Sequence, residues 1–343
     1  MRFNADFRNI ALGTLIGVVV LALLLGWELR HFDADGPVGA PDLLKPTVSM
    51  GGVQPLPLKL KLDEAKVVLG RKLFEDVRLS ADDTIACASC HVLTNGGVDG
   101  RQHSIGIGGA EGGVNAPTVY NSGFNFVQFW DGRALTLEEQ AAGPVHNPKE
   151  MGSSWPQVID KLKQDDGYRK SFASLYRDGI APQNIVDAIA TFERSLVTPN
   201  SPFDRYLRGD NAAMSEAAQH GYQLFQSYGC ISCHQGVNLG GNMYERMGLM
   251  GNYFEDRGNI TEADYGRYNV TKDERDRYAF KVPSLRNVAL TSPYFHDGSV
   301  NTLPEAVSAM AKYQLGRKIP ENDRSDLVQF LYALSGETEK AGP

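Results

Sequence analysis

All four cysteines of the chain fall into two copies of one short pattern, Cys87-Ala88-Ser89-Cys90-His91 and Cys230-Ile231-Ser232-Cys233-His234. Cys-x-x-Cys-His is the attachment pattern of c-type haem: two thiols add across the vinyl groups, and the adjoining imidazole reaches the iron as proximal ligand. A zinc site drawn from the four cysteines, or two thioredoxin-like redox pairs, would leave the histidine after each pair unexplained, and the chain has only 7 histidines. Two covalently bound haem c groups are therefore expected, held by Cys87, Cys90, His91, Cys230, Cys233 and His234. Haem also supplies a large apolar body around which loop-rich halves can pack. At 343 residues the chain has room for two such units.

The stretch from Ile10 to Trp27 carries no charge, and its helical length of roughly 27 Å approaches the hydrocarbon thickness of a bilayer. Arg2 and Arg8 precede it with only Asp6 opposing, which keeps the N-terminus cytoplasmic and sends the remainder across. Trp27-Glu28-Leu29-Arg30 follows in place of a small-residue cleavage site, so an uncleaved single-pass anchor is favoured over a signal peptide. The expected location is the bacterial inner membrane with the body in the periplasm, where haem is attached. A net charge of −7, from 34 basic and 41 acidic side chains, excludes a basic surface for nucleic acid and would steer a basic partner.

Five prolines between Asp33 and Leu58 read as an extended tether. Beyond it the apolar periodicity is helical: Leu62, Ala65, Leu69 and Leu73; Ile185, Ala188, Ile189, Phe192 and Leu196; Leu327, Phe330, Leu331 and Leu334. Thr136 to Glu139 and Ser154 to Gln157 have capping-box spacing. The glycine-bearing stretches Gly106 to Gly113 and Gly236 to Asn252 read as loops. An all-α fold is expected, with two cytochrome c-like haem domains after a transmembrane helix and tether. The expected organisation is an anchor at 1–31, a tether at 32–58, an N-terminal haem domain at 59–198 and a C-terminal one at 199–343, divided at Thr198-Pro199-Asn200-Ser201-Pro202.

Several blocks then carry a resemblance: Leu69-Gly70-Arg71-Lys72-Leu73-Phe74, Asn115-Ala116-Pro117-Thr118-Val119, Gln128 to Ala134, Gly143-Pro144-Val145 with Glu150-Met151, Val282 to Asn287, and Pro293-Tyr294-Phe295-His296-Asp297-Gly298. Over about 60–336 the chain resembles the bacterial di-haem cytochrome c peroxidases. The resemblance implies an enzyme that reduces hydrogen peroxide at an N-terminal haem. Electrons would come from a small periplasmic c-type cytochrome or cupredoxin, through a C-terminal His/Met haem. It also implies calcium between the domains and, by analogy, a homodimer. The alternative is a membrane-anchored di-haem electron-transfer protein without peroxide chemistry. About 285 residues beyond the tether, against on the order of 100 per minimal haem carrier, favour the enzyme.

Carried over residue by residue, His91 and His234 match the proximal ligands, Met310 the sixth ligand of the second haem, and Trp130 the tryptophan between the haems. Glu150 matches the acid/base group and Gln140 the amide that positions peroxide. Asn115 and the carbonyls of Thr291 and Pro293 match the calcium ligands. By themselves Met310 reads as core, Trp130 as a packed aromatic, Gln140 as a solvated helix residue and Glu150 as an exposed loop residue; His296 is a rival iron ligand. A related branch that oxidises other substrates carries tyrosine in place of the methionine. One departure stands out: Ile107 occupies the position of a histidine that caps the first haem in members needing reductive activation, and the nearest imidazole is His103.

Overall fold

The computed structural model describes residues 52–338. The anchor and most of the tether lie outside the described residues, among which no helix is long and apolar enough to cross a membrane. Helices predominate: α1 (Glu64–Phe74), α2 (Cys87–Cys90), α3 (Leu137–His146), α4 (Trp155–Lys163), α5 (Asp166–Leu175), α6 (Pro182–Ser195), α7 (Pro202–Leu207), α8 (Glu216–Ser227), α9 (Tyr253–Arg257), α10 (Tyr268–Thr271), α11 (Leu303–Tyr313) and α12 (Glu321–Tyr332). The expected all-α reading omits one feature, an antiparallel pair of β1 (Tyr244–Arg246) and β2 (Ala279–Lys281) in which Tyr244 faces Lys281. Strands of three residues are too short to show an alternating pattern in sequence.

Two buried cores form in chain order. The first gathers Leu69, Phe74, Phe172, Ile189 and Phe192 from α1, α5 and α6; the second gathers Phe203, Phe225, Leu303 and Phe330 from α7, α8, α11 and α12, with Leu334 just after α12. Each has one close helix crossing, α1 on α6 and α8 on α12. A glycine sits at each. A Cβ on Gly70 would lie 1.9 Å from the Ala188 carbonyl oxygen, and one on Gly221 1.9 Å from that of Asp326, so any side chain would force the helices apart.

The halves repeat one another in detail. Asn121 (φ 61°) and Asn287 (φ 60°) are both left-handed, and both donate their side-chain amides to the hydroxyl of buried Thr198, at 2.8 and 2.9 Å. Phe129 (φ 66°) and Phe295 (φ 69°) stand inside matching bridges, Gln128 with Ala134 and Tyr294 with Val300. Thr136 and Thr302 then cap α3 and α11 with their hydroxyls. Trp130 is thereby equivalent to His296. The two segments also exchange backbone bonds: Asn115 N–H donates to the His296 carbonyl, and Lys281 N–H to that of Trp130, both at 2.8 Å.

Three local expectations change. In α1 the buried face is Leu69, Gly70, Leu73 and Phe74; Ala65, in the first turn, is exposed, and Leu62 lies ahead of the cap Asp63, outside the helix. Ser154 starts α4 without a side-chain cap bond; Gln157 reaches the Ala81 carbonyl instead. The end of the supposed tether is part of the folded body: Leu56 is 1% exposed, its N–H donates to Asp204 at 2.9 Å, and the Gln54 carbonyl accepts from Arg286 at 2.8 Å.

Candidate functional site

Each Cys-x-x-Cys-His is wound into a single turn, with the histidine N–H donating to the first cysteine's carbonyl, His91 to Cys87 at 2.9 Å and His234 to Cys230 at 3.0 Å. One turn places two thiols and an imidazole on one side. The histidines are oriented alike: Nδ1 of His91 meets the Gly97 carbonyl at 3.3 Å and Nδ1 of His234 that of Leu239 at 3.2 Å. With Nδ1 as donor, Nε2 keeps its lone pair for a metal. Burial pulls both imidazoles below the usual range, His234 to about 4, so they are neutral at physiological pH. Burial also pushes the Cys87 thiol up to about 12 and that of Cys230 to about 11. Redox-active pairs need the opposite shift. The two cysteine pairs belong with different cores, so no four-thiolate zinc site is assembled.

Around the second motif lies a cavity of about 480 Å³ walled mainly by apolar side chains, including Val282, Leu285, Phe295 and Leu303. Cys230, Cys233, His234 and Met310 line it together. A soft thioether on α11 and a neutral imidazole in one apolar space suit a low-spin haem iron. The residues fit the group. Met247 also lines this cavity, whereas Met250 is 64% exposed. His296 lines it too, but its Nε2 is 2.7 Å from Asp264 Oδ1, and Asp264 is also held by Arg257. That nitrogen is therefore committed to a carboxylate.

Near the first motif, Glu150 is half-buried and its N–H bonds back to Asn147 at 3.0 Å, in the turn that follows α3. Burial raises the Glu150 carboxyl, offset by the Asn147 amide, which donates to its Oε1 at 2.6 Å, and by the charge of Arg133. The Ile107 N–H donates to the Glu150 carbonyl at 2.8 Å, and the Ile107 side chain packs over Gly152. The loop after the first motif is thus docked on the acid. Its His103 is held by Glu111, with Nδ1 to Oε1 at 3.0 Å. Gln140 stands half-buried on α3, its side-chain amide without a hydrogen-bond partner among the described residues. The indole of Trp130 donates to the Asn115 carbonyl at 2.9 Å and meets the His296 ring edge-on at 6.4 Å.

Of the residues assigned to calcium, Asn115 spends its amide on the Arg101 and Gln102 carbonyls. The group of metal-type donors that the described residues do bring together is Asp264, His296 and Asp297, bridged by Arg257. Three buried groups carried no signal in sequence. Asp264 orients His296; Lys281 is 6% exposed in the second cavity; and Glu193 on α6 is 5% exposed with an unpartnered Oε2. Only a three-dimensional neighbourhood distinguishes them from surface charges.

Residues 64–212 match the family model described as di-haem cytochrome c peroxidase. The cytochrome c551 peroxidase of Nitrosomonas europaea is 43% identical over 286 residues, covering 83% of this chain and 84% of that protein. The chain belongs to the di-haem cytochrome c peroxidase family. Its class is that of haem-dependent peroxidase oxidoreductases. The cytochrome c peroxidase Ccp of Escherichia coli is 54% identical over 285 residues, 83% of this chain, which spans 61% of that longer protein. A solved MauG-like protein associated with microbial copper homeostasis superimposes with a TM-score of 0.72 at 30% identity, over 86% of this chain and 96% of its own.

Proposed function

We propose that this di-haem peroxidase reduces hydrogen peroxide to water, H2O2 + 2e− + 2H+ giving 2H2O. The observation that carries the reading is Glu150: a carboxyl raised by burial, steadied by Asn147, and joined by backbone to a loop whose matched position holds Ile107. When bound, the haems supply the redox iron at which the O–O bond is broken and the electrons that reduce it. The chain supplies the rest. His91 and His234 offer Nε2 as proximal donors and Met310 offers its thioether, a ligand that raises potential. Glu150 takes a proton from one peroxide oxygen and returns it to the other, work that suits a carboxyl whose pKa is lifted toward neutrality. Gln140 orients peroxide through its unspent amide, and Trp130 bridges the halves.

Electrons would enter at the His234/Met310 side from a small c-type cytochrome or cupredoxin in the periplasm, with the run from Ile10 to Trp27 anchoring the chain in the inner membrane. The two cores support separate haem domains on either side of Thr198. Calcium would be held by Asn115 and the carbonyls of Thr291 and Pro293, beside the Asn115 to His296 bond, and the assembly would be a homodimer. Steady-state peroxide reduction with reduced small cytochrome as donor tests the central claim. Peroxide-dependent oxidation of the donor is the expected result; electron exchange without it would identify a carrier instead.

A further inference from the structure

Lys281 ends β2, and its side chain enters the second cavity beside Cys230, Cys233, His234 and Met310. It is 6% exposed, and its ammonium has no hydrogen-bond or ion-pair partner among the described residues. Among the described residues no other lysine or arginine lines that space. Asp131 acts on it only at longer range and is already paired with Arg133 at 2.9 Å. Glu245, the carboxylate in the lining, lies beside Cys233. The other buried lysine or arginine among the described residues, Arg286, is 1% exposed and meets Asp204 at 2.9 Å. Burying an ammonium without a counter-charge disfavours its charged form, and here burial pulls its pKa down to about 8.

A cation left without a partner in an otherwise apolar cavity calls for an anion that arrives with the ligand. Haem is apolar over most of its surface and carries two carboxylates, so it matches both properties of the space. We propose that Lys281 is the positioning residue that pairs with a propionate of the second haem, fixing that edge at Trp130. The placement follows from the backbone, since the Lys281 N–H donates to the Trp130 carbonyl at 2.8 Å and both side chains line the cavity. A positive charge at the propionate favours the ferrous state, acting in the same direction as Met310. This inference rests on attachment of the second haem at Cys230 and Cys233.

The test uses the full-length holoprotein, with two haems per chain first verified by pyridine haemochrome; a missing haem in the wild type would refute attachment and not the pairing. Lys281→Met, or Lys281→Gln should the first fail to mature, is expected to shift the reduction equilibrium of the second haem roughly tenfold toward ferric, about 59 mV for one electron. The propionate bending band in resonance Raman should move with it. Lys281→Arg should restore both to near wild type. An unchanged potential and band, with both haems attached, would overturn the pairing. So would a shift that Lys281→Arg does not reverse, which would assign the effect to packing.

Discussion

Pro144 of α3 and Met310 of α11 occupy equivalent positions, each the same distance beyond its capping threonine, Thr136 or Thr302. The second half thereby places a thioether in the cavity beside His234, whereas the first places at the matching position a ring that has no donor atom. The matched loop adds Ile107 where a histidine would stand, and His103 is engaged by Glu111. Neither position among the described residues would therefore offer a sixth ligand to a haem iron held by His91.

The oxidised protein should accordingly show a high-spin ferric signal beside a low-spin His/Met signal, and its first turnover should have no lag without pre-reduction. Electron paramagnetic resonance and stopped-flow kinetics check both. Two low-spin ferric haems, with a lag abolished by His103→Ala, would show that the loop supplies a ligand after all. Ile107→His should create such a lag.

Glu150→Gln keeps the shape and the Asn147 neighbour but removes the exchangeable proton, so peroxide turnover should fall by roughly 100-fold or more. Haem content and electron uptake should be unaltered. Unchanged turnover would remove Glu150 from the mechanism.

Met310→Ala should lower the potential of the second haem and slow its reduction by the donor while sparing the first haem's spectrum. Because His296 is bound to Asp264, it should not step in. A surviving low-spin signal would point to Met247, the other thioether of the cavity.

Burial raises the Glu193 carboxyl from an ordinary 4.5 to about 8, with Arg194 partly offsetting and Glu138 adding to the rise. Between those values the folded chain binds a proton that the unfolded chain has released, so stability falls as pH rises from about 4.5 to 8. Thermal unfolding of Glu193→Gln should show a flatter pH profile across that window and a higher Tm than wild type at its alkaline end. Parallel profiles would mean that Glu193 ionises as an ordinary carboxylate.

What could be read in sequence was local. The haem motifs are covalent chemistry at fixed spacing, and α6 announces its buried face through Ile185, Ala188, Ile189 and Phe192 because a helix repeats every 3.6 residues. Thr136 was legible as a cap for the same reason. Ser154 was legible as a helix start, but the lack of a cap bond there was not, since Gln157 turns to the carbonyl of Ala81, far away in the chain. The roles of Glu150, Gln140 and Met310 came from resemblance rather than from pattern. Lys281, Asp264 and Glu193 lay beyond both, because a charge in sequence does not show whether folding will leave it in water. The repeat of the halves is carried by residues that both share at one spacing, Asn121 with Asn287, Phe129 with Phe295 and Thr136 with Thr302, but only the fold shows that these occupy matching left-handed and capping positions.

The seating of Gln54 and Leu56 has a mechanical consequence. The Gln54 carbonyl and the Leu56 N–H are bound to the two members of the buried Arg286 and Asp204 pair. A pull on the chain ahead of Gln54 is therefore borne by the core of the second half and not by a slack strap. Trimming the protein at Lys59 to obtain a shorter body would strip one partner from each buried charge, at about 1–3 kcal/mol apiece. A preparation that begins before Gln54 should withstand protease and denaturant better than one that begins at Lys59, although both retain every haem-binding residue.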